Sequence, residues 1–355
     1  MGRKIAKWIG IALAVLVLAA LALLGWLSLT EFRPAAHMTV APEGDAGRSL
    51  RAGEPLTVLT WNIGYGALGD NADFFMDGGR GVYTADAARV DDNLRGIAET
   101  IRDQAPDLLL LQEVDRDSAR SYHTDETVQM RDAMPSAVSA FANNFKVAFV
   151  PFPIPPIGRV DSGLLTLSAF PVREAERIGL PNPFSWPIRM ANLKRCLLVE
   201  RIPVEGSDRE LVLVNLHLEA YDDGAGKAAQ TEALKALLEA EAARGNYVIV
   251  GGDFNQRFSS VDASAYPQQE GLWQPGEIDA ASFSEEWQLL MDPAVPSCRS
   301  LDRPYTDADR ETFQYYLIDG FILSGNVRLQ SIQTLDLDFI CSDHNPVRAE
   351  LILEP

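Results

Sequence analysis

Cysteine is scarce. Only Cys196, Cys298 and Cys341 occur among 355 residues, and they match no metal-ligand spacing, so no thiolate metal centre is read from them. A Cys298–Cys341 disulfide with one thiol left over stays open for an oxidising compartment. Histidine is nearly as rare, at four residues: His37, His123, His217 and His344. Positive charge is also short, with 31 Lys and Arg against 50 Asp and Glu and a formal net charge of −19. That deficit speaks against a general nucleic-acid binder, because phosphate backbones are gripped by Lys and Arg. It leaves an anionic substrate open, since a divalent cation can supply positive charge locally. No repeat or low-complexity tract is present.

What is there begins with an apolar segment. Arg3, Lys4 and Lys7 precede an uncharged run from Trp8 to Leu27, whose 20 residues are enough to span a bilayer as a helix. A cleaved secretory signal is the alternative; Ala20-Leu21-Ala22 fits a small-x-small site but lies inside the run, and Pro34-Ala35-Ala36 fits poorly. The expected organisation is a basic cytoplasmic tail (1–7), a transmembrane anchor (8–27), a stalk (28–54, Pro, Ala, Gly and mixed charges) and a catalytic domain (55–355). The bias of basic residues before the span places the N-terminus in the cytoplasm and the domain on the extracytoplasmic side. A monomer is expected.

The remainder has ample apolar content for a large core, in one big domain or two smaller ones, at 47% hydrophobic overall. Strand-like runs recur at Leu56–Trp61, Asp107–Leu111, Phe145–Val150, Gly163–Leu167, Arg195–Ile202, Leu211–Leu218, Tyr247–Val250, Tyr316–Leu323, Val327–Leu335 and Val347–Leu353. Several are continuously apolar, as expected when both faces are covered. Thr84–Gln104 and Gly226–Arg244 read as helices, stopped by Pro106 and Gly245. Helices set between more numerous strands predict an α/β layered fold. The stiff segment Pro151-Phe-Pro-Ile-Pro-Pro-Ile157 is a surface connection or a substrate- or membrane-facing rim.

Taken singly, the chemical candidates have plain explanations. Asn62 can be a turn residue before Gly64, Glu113 the exposed end of a strand, and His217 a packed strand histidine facing the same way as Leu211, Leu213 and Asn215. Asp253-Phe-Asn255 and Asp343-His344-Asn345-Pro346 can be Asx turns. Asp319, flanked by apolar residues, needs a partner, and His344 is one candidate. Together, however, strand ends deliver Asn, Glu, His, Asp-x-Asn and Asp-His, the groups that water activation and charge neutralisation at a phosphate ester require.

These residues resemble the endonuclease/exonuclease/phosphatase (DNase I-like) superfamily over roughly residues 55–353. The motifs are Thr60-Trp-Asn62, Leu111-Gln-Glu-Val114, Ser162-Gly-Leu-Leu-Thr-Leu-Ser168, Asn215-Leu-His-Leu218, Gly252-Asp-Phe-Asn255, Ile318-Asp-Gly320 and Ser342-Asp-His344. The resemblance implies a four-layer sandwich of two packed β-sheets flanked by helices, with the active site at one end of the sheets. It implies Mg²⁺, with Mn²⁺ an alternative, held by Glu113 with Asn62 beside it and Asp343 as a further acid on the metal side. It implies that Asp253 orients or deprotonates the attacking water and that Asn255 fixes Asp253 and a phosphate oxygen. His344, held by Asp319, and His217 would contact the phosphoryl oxygens. There are two departures. Gly64 stands where several nucleases of the family carry an acid, and the carboxylate that orients the first histidine cannot be placed, Tyr122 and His123 being the candidates nearby.

The reading is a metal-dependent phosphodiesterase or phosphatase anchored to a membrane. Its substrate would be a lipid head group, a sugar or inositol phosphate, or a nucleic acid. A nuclease is the nearest rival, and a non-catalytic binding module of the same fold is the rival from another class.

Overall fold

Alternation of side chains sorts the strands into two stacked sheets in the computed structural model, which describes residues 2–306 and 308–355. The chain runs α1 (Gly2–Leu29), β1 (His37–Val40), β2 (Pro55–Asn62), α2 (Ala87–Gln104), β3 (Leu108–Asp115), α3 (Glu126–Ala133) and β4 (Val138–Val150). It continues through β5 (Gly158–Ser168), β6 (Glu174–Gly179), β7 (Cys196–Pro203), β8 (Glu210–His217), α4 (Ala225–Ala242) and β9 (Tyr247–Asp253). The last labelled strands are β10 (Gln288–Leu290), β11 (Asp319–Leu323), β12 (Val327–Thr334) and β13 (Val347–Leu353). One sheet has the order β1-β6-β7-β8-β9-β11-β10 and the other β12-β13-β2-β3-β5-β4.

Three apolar layers hold the stack together. Leu56 and Val58 of β2 face Leu211, Leu213 and Ile249 of the other sheet. The alternate residues Leu59 and Trp61 face Leu94, Ile97 and Ile101 of α2. Val212, Val214 and Val250 face Leu234 and Leu238 of α4. This is the four-layer α/β sandwich that the resemblance implies, and the continuous apolar runs are those buried on both faces. Parallel neighbours cannot be joined by a tight turn, and α2 and α4 make the two crossovers, β2 to β3 and β8 to β9.

Helix ends follow local chemistry. Asp86 caps α2 by accepting from the Arg89 N–H, so the helix begins three residues after Thr84, and Ala105 closes it in the left-handed region just before Pro106. The run Tyr316–Leu323 is interrupted: Tyr315–Tyr316 pairs with Cys298–Arg299, and Ser297 Oγ accepts from the N–H groups of Ile318 and Asp319 before β11 starts. The three cysteines are free. No Cys298–Cys341 bridge forms, because Cys298 packs with Tyr316 and Ile318 while Cys341 packs on the α2 layer.

Residues 28–54 are not a free stalk. β1 pairs with β6, the backbones of Glu43 and Ser139 exchange two hydrogen bonds of 2.8 Å, and Leu50 is buried between the sheets. Four residues with one weak alternation and an isolated Leu are too little for periodicity to detect. The helix α1 is long and apolar enough to cross a membrane. Its last turn is seated on the domain: Trp186 Nε1 donates to Ser28 Oγ at 3.1 Å, and Leu27 is buried. Next to it, the buried Glu31 carboxylate lies 3.1 Å from Arg189 Nε and 3.4 Å from Lys194 Nζ. Burial opposes its charge, but Arg33, Lys194 and Arg189 outweigh burial and hold its pKa below the usual value.

Candidate active site

Strand register brings the distant candidates together. His217 pairs with Asp253 across the parallel β8–β9 ladder, and Asp253 pairs with Asp319 across the antiparallel β9–β11 ladder. The three therefore stand abreast at one end of the sheet. Each lies an even number of residues from side chains buried between the sheets (Leu213, Ile249 and Phe321), so all three project into the same gap. From the facing sheet, Asn62 ends β2 on its inward face, and His344 precedes β13, tied down where its carbonyl accepts from Trp61 Nε1 at 2.8 Å.

Glu113 arrives by a different device. Leu109 and Leu111 face α2, so an unbroken strand would send Glu113 the same way. A register shift between Leu111 and Val114, with Glu113 at φ +54°, turns its side chain to the site instead. Gly252 has a related role at φ +148°: a Cβ there would lie 2.0 Å from the Leu216 carbonyl oxygen, so only glycine lets β9 approach β8 closely enough to present Asp253.

Asp253 Oδ2 is the hub. Asn62 Nδ2 donates to it at 3.1 Å, His217 Nε2 lies at 3.4 Å and His344 Nε2 at 3.9 Å. Asn255, at φ +50°, donates its backbone N–H to Asp253 Oδ1 at 2.8 Å and its amide to the Leu218 carbonyl at 2.9 Å. His344 Nδ1 meets Asp319 Oδ2 at 2.8 Å, which supplies the partner that buried Asp319 needs. Burial, then the neighbouring Asp319, push the Asp253 carboxyl up to about 7. Burial and Arg195 hold His217 well below the usual histidine pKa, so it is neutral. Burial opposes charge on His344 too, but Asp319, with Cys298 and Asp343, outweighs it and holds the imidazole well above its usual value. The two histidines thus differ in charge by environment alone.

The donor set suits a hard cation. Asp343 Oδ2 lies 3.9 Å from His344 Nε2, and burial, with Glu113 as a neighbouring negative charge, raises its carboxyl to about 6. Two carboxylates crowded in one cavity are what a divalent ion relieves, and oxygen donors beside open space suit an ion that keeps waters. Asn62 stands beside Glu113. Its oxygen accepts from the Gly64 N–H at 3.0 Å and its nitrogen faces Glu113 Oε1 at 3.3 Å, so it steers the carboxylate. The tight group Asp253–Asp319–His344 is accounted for by the histidine–acid hydrogen bond. Cys298, close to Asp343 and His344, keeps its proton, its thiol pushed up to about 12 by burial.

The first departure has a physical answer. Gly64 sits at φ +52°, and a Cβ there would lie 2.8 Å from Leu68 Cβ and 3.1 Å from Asp343 Oδ1. No acid fits there, and Asp343 fills that space. Neither Tyr122 nor His123 orients His217: Tyr122 donates to the Ala85 carbonyl at 2.9 Å and His123 pairs with Asp117 at 2.6 Å. His217 Nδ1 has no protein partner among the described residues. Sequence reasoning also missed Arg195, Arg120, Tyr221 and Asp77, which line the same cavity. Tyr221 Oη donates to Asp77 Oδ1 at 3.1 Å. These residues lie in loops or at strand edges, without a motif to mark them.

The family described as endonuclease/exonuclease/phosphatase matches residues 59–344, and every residue of this cluster falls within that span. The chain belongs to that family. Members of solved structure share its fold at low identity. The endonuclease/exonuclease/phosphatase of Beutenbergia cavernae aligns with a TM-score of 0.57 at 20% identity, covering 84% of this chain and 72% of that one. The corresponding protein of Bacteroides vulgatus gives 0.52 at 16% identity, covering 85% of this chain and 100% of that one. D. rerio TDP2, complexed with single-strand DNA product, gives 0.51 at 16% identity, covering 84% and 99%. No curated protein matches the sequence. At the family level, hydrolysis of phosphoester bonds is supported.

Proposed function

We propose that this family member is a Mg²⁺-dependent phosphodiesterase or phosphatase held at a membrane by α1. The observation that carries the reading is the convergence on Asp253 Oδ2 of the Asn62 amide and both imidazole Nε2 atoms. Asp253, with a pKa near neutrality, orients the attacking water and takes its proton. Asn255 holds the Asp253 carboxylate through its backbone N–H and offers its amide to a phosphate oxygen. The His344 imidazolium, held by Asp319, donates from Nε2 to a phosphoryl oxygen as charge builds there. Neutral His217 contributes a second ring nitrogen on the same side. Glu113 and Asp343 would hold the cation, with Asn62 steering Glu113. When bound, the ion supplies Lewis-acid neutralisation of the phosphoryl charge.

The apolar helix, the basic residues ahead of it and its docking onto the domain support a single-pass anchor, with the N-terminus cytoplasmic and the domain extracytoplasmic. The test is hydrolysis of bis(p-nitrophenyl) phosphate by the full chain with Mg²⁺, abolished by chelator. Asp253→Asn should lower turnover about 10²- to 10⁴-fold without loss of the fold. Wild-type turnover by that variant would remove Asp253 from its role.

A further inference from the structure

The catalytic cluster shares its opening with the apolar helix. It lines a cavity of about 950 Å³ that is also lined by Leu24 and Leu27 of α1. Glu113, His217, Asp253 and His344 thus share a continuous space with the last turns of the apolar helix. The same lining is rich in apolar side chains, including Phe75, Phe152, Ile157, Ile188 and Met190.

The rim adds a second observation. Phe152, Ile154, Trp186 and Ile188 project from two proline-containing loops, and Ile154 is 91% exposed. Single exposed apolar side chains need no explanation, but four beside the exit of an apolar helix mark a surface that meets something apolar. The second of these loops is fastened to the end of that helix, and Phe152 of the first lines the same cavity as Leu24 and Leu27. Trp186 Nε1 donates to Ser28 Oγ at 3.1 Å, Arg189 Nε lies 3.1 Å from the Glu31 carboxylate, and the Trp26 ring sits tilted against Phe149 at 6.5 Å between ring centroids. Leu24 precedes the end of α1 by five residues, about 7.5 Å along the axis. Wherever the end of α1 meets the membrane surface, the 184–188 loop meets it as well, with Phe152 across the shared cavity. Trp26 and Trp186 then sit where tryptophan favours the boundary between water and lipid.

We infer that the substrate is a phosphodiester lipid of the bilayer that α1 spans, with its acyl chains against the α1 wall and its phosphorus at Asp253 and His344. This rests on the phosphoesterase reading above. It goes further in naming the substrate class and in assigning residues 151–157 and 184–188 to the bilayer surface. In the reaction one water is consumed and one P–O ester bond breaks. The water oxygen stays on phosphorus, and the departing alcohol takes up a proton. A nucleic acid is disfavoured by the α1 wall itself, where Leu24 and Leu27 offer no cation to a strand of phosphates, and by the formal net charge of −19.

The experiment reconstitutes the full chain in unilamellar vesicles of phosphatidylcholine and phosphatidylglycerol with Mg²⁺, following lipid hydrolysis by phosphorus NMR. Bis(p-nitrophenyl) phosphate and a single-stranded DNA oligonucleotide serve as soluble comparisons. Ile154→Glu is the informative variant, because Ile154 does not line the cavity and is too exposed to matter for folding. The wild type should hydrolyse vesicle lipid. The variant should keep soluble-diester turnover within about twofold and lose about fivefold or more on lipid. Equal loss on both substrates, no loss on lipid, or cleavage of DNA with vesicle lipid left intact would each overturn the lipid assignment while the phosphoesterase reading stands. If the wild type fails to cleave even the soluble diester, that reading fails and this one falls with it.

Discussion

Glu200 lies in β7, facing the layer between the sheets, 1% exposed, and neither carboxylate oxygen has a hydrogen-bond partner. Its strand neighbours are Ala175 and Leu213, so nothing beside it stabilises a negative charge. Burial alone raises its pKa from 4.5 to about 8. The folded chain therefore keeps a proton at neutral pH that the unfolded chain has released. Between 4.5 and about 8 the unfolded state binds fewer protons, so this group makes stability fall as pH rises. Below that window both states are protonated and the effect vanishes; above it the loss levels off. A shift of that size corresponds to about 5 kcal/mol, of which about 4 kcal/mol should develop between about pH 5 and about pH 8. Glu200→Gln is nearly isosteric and cannot ionise. It should match the wild type at the acidic end within about 1 kcal/mol and exceed it by several kcal/mol at the alkaline end. Denaturant titration of the detergent-solubilised full chain, read by tryptophan fluorescence at both pH values, measures the difference. A wild-type-to-variant offset that stays constant across the window would show that Glu200 is ionised in the folded protein, and the reasoning would fail.

Removing the charge at Asp319 by Asp319→Asn takes away the largest group opposing burial at His344, leaving Cys298 and Asp343, so its pKa should drop. A raised histidine pKa keeps the cation to higher pH. The variant's alkaline limb of kcat should therefore move to lower pH, with about a hundredfold loss at neutrality; a uniformly lowered profile with unmoved limbs would assign Asp319 a packing role only. Gly252→Ala forces a Cβ to within 2.0 Å of a carbonyl oxygen at φ +148°. Failure to recover folded protein, or a loss of 4 kcal/mol or more, is expected. Gly47, with nothing within 4 Å of an added Cβ, is the neutral comparison, and a Gly252→Ala chain as stable as Gly47→Ala would refute the close approach.

Legibility varied with the length of the signal. The apolar runs of β3, β8 and β9 and the faces of α2 and α4 are written in ten or more residues each, counting their flanks, and they appear where periodicity puts them. The four residues of β1, the six of β6 and the eight of α3 carry too little pattern to stand out, and all three went unread. Boundaries moved where a side chain intervened, as Asp86 does at α2 and Ser297 does ahead of β11. In the site, the presence of Asn62, Glu113, His217, Asp253, Asn255, Asp319, Asp343 and His344 could be read. The protonation state of each, and the aim of Glu113, could not.

Period-two alternation and the order of the motifs already determine that Asn62, His217, Asp253 and Asp319 face the gap between two sheets, because side-chain direction in a strand is a local property of the chain. Long-range packing alone decides the rest. A bulge turns Glu113 toward the cluster, and unequal neighbours leave one histidine neutral and the other charged. The seating of α1 joins an apolar wall to the catalytic carboxylates. Each of these depends on what lies opposite a residue in space, and residues hundreds of positions apart set that environment.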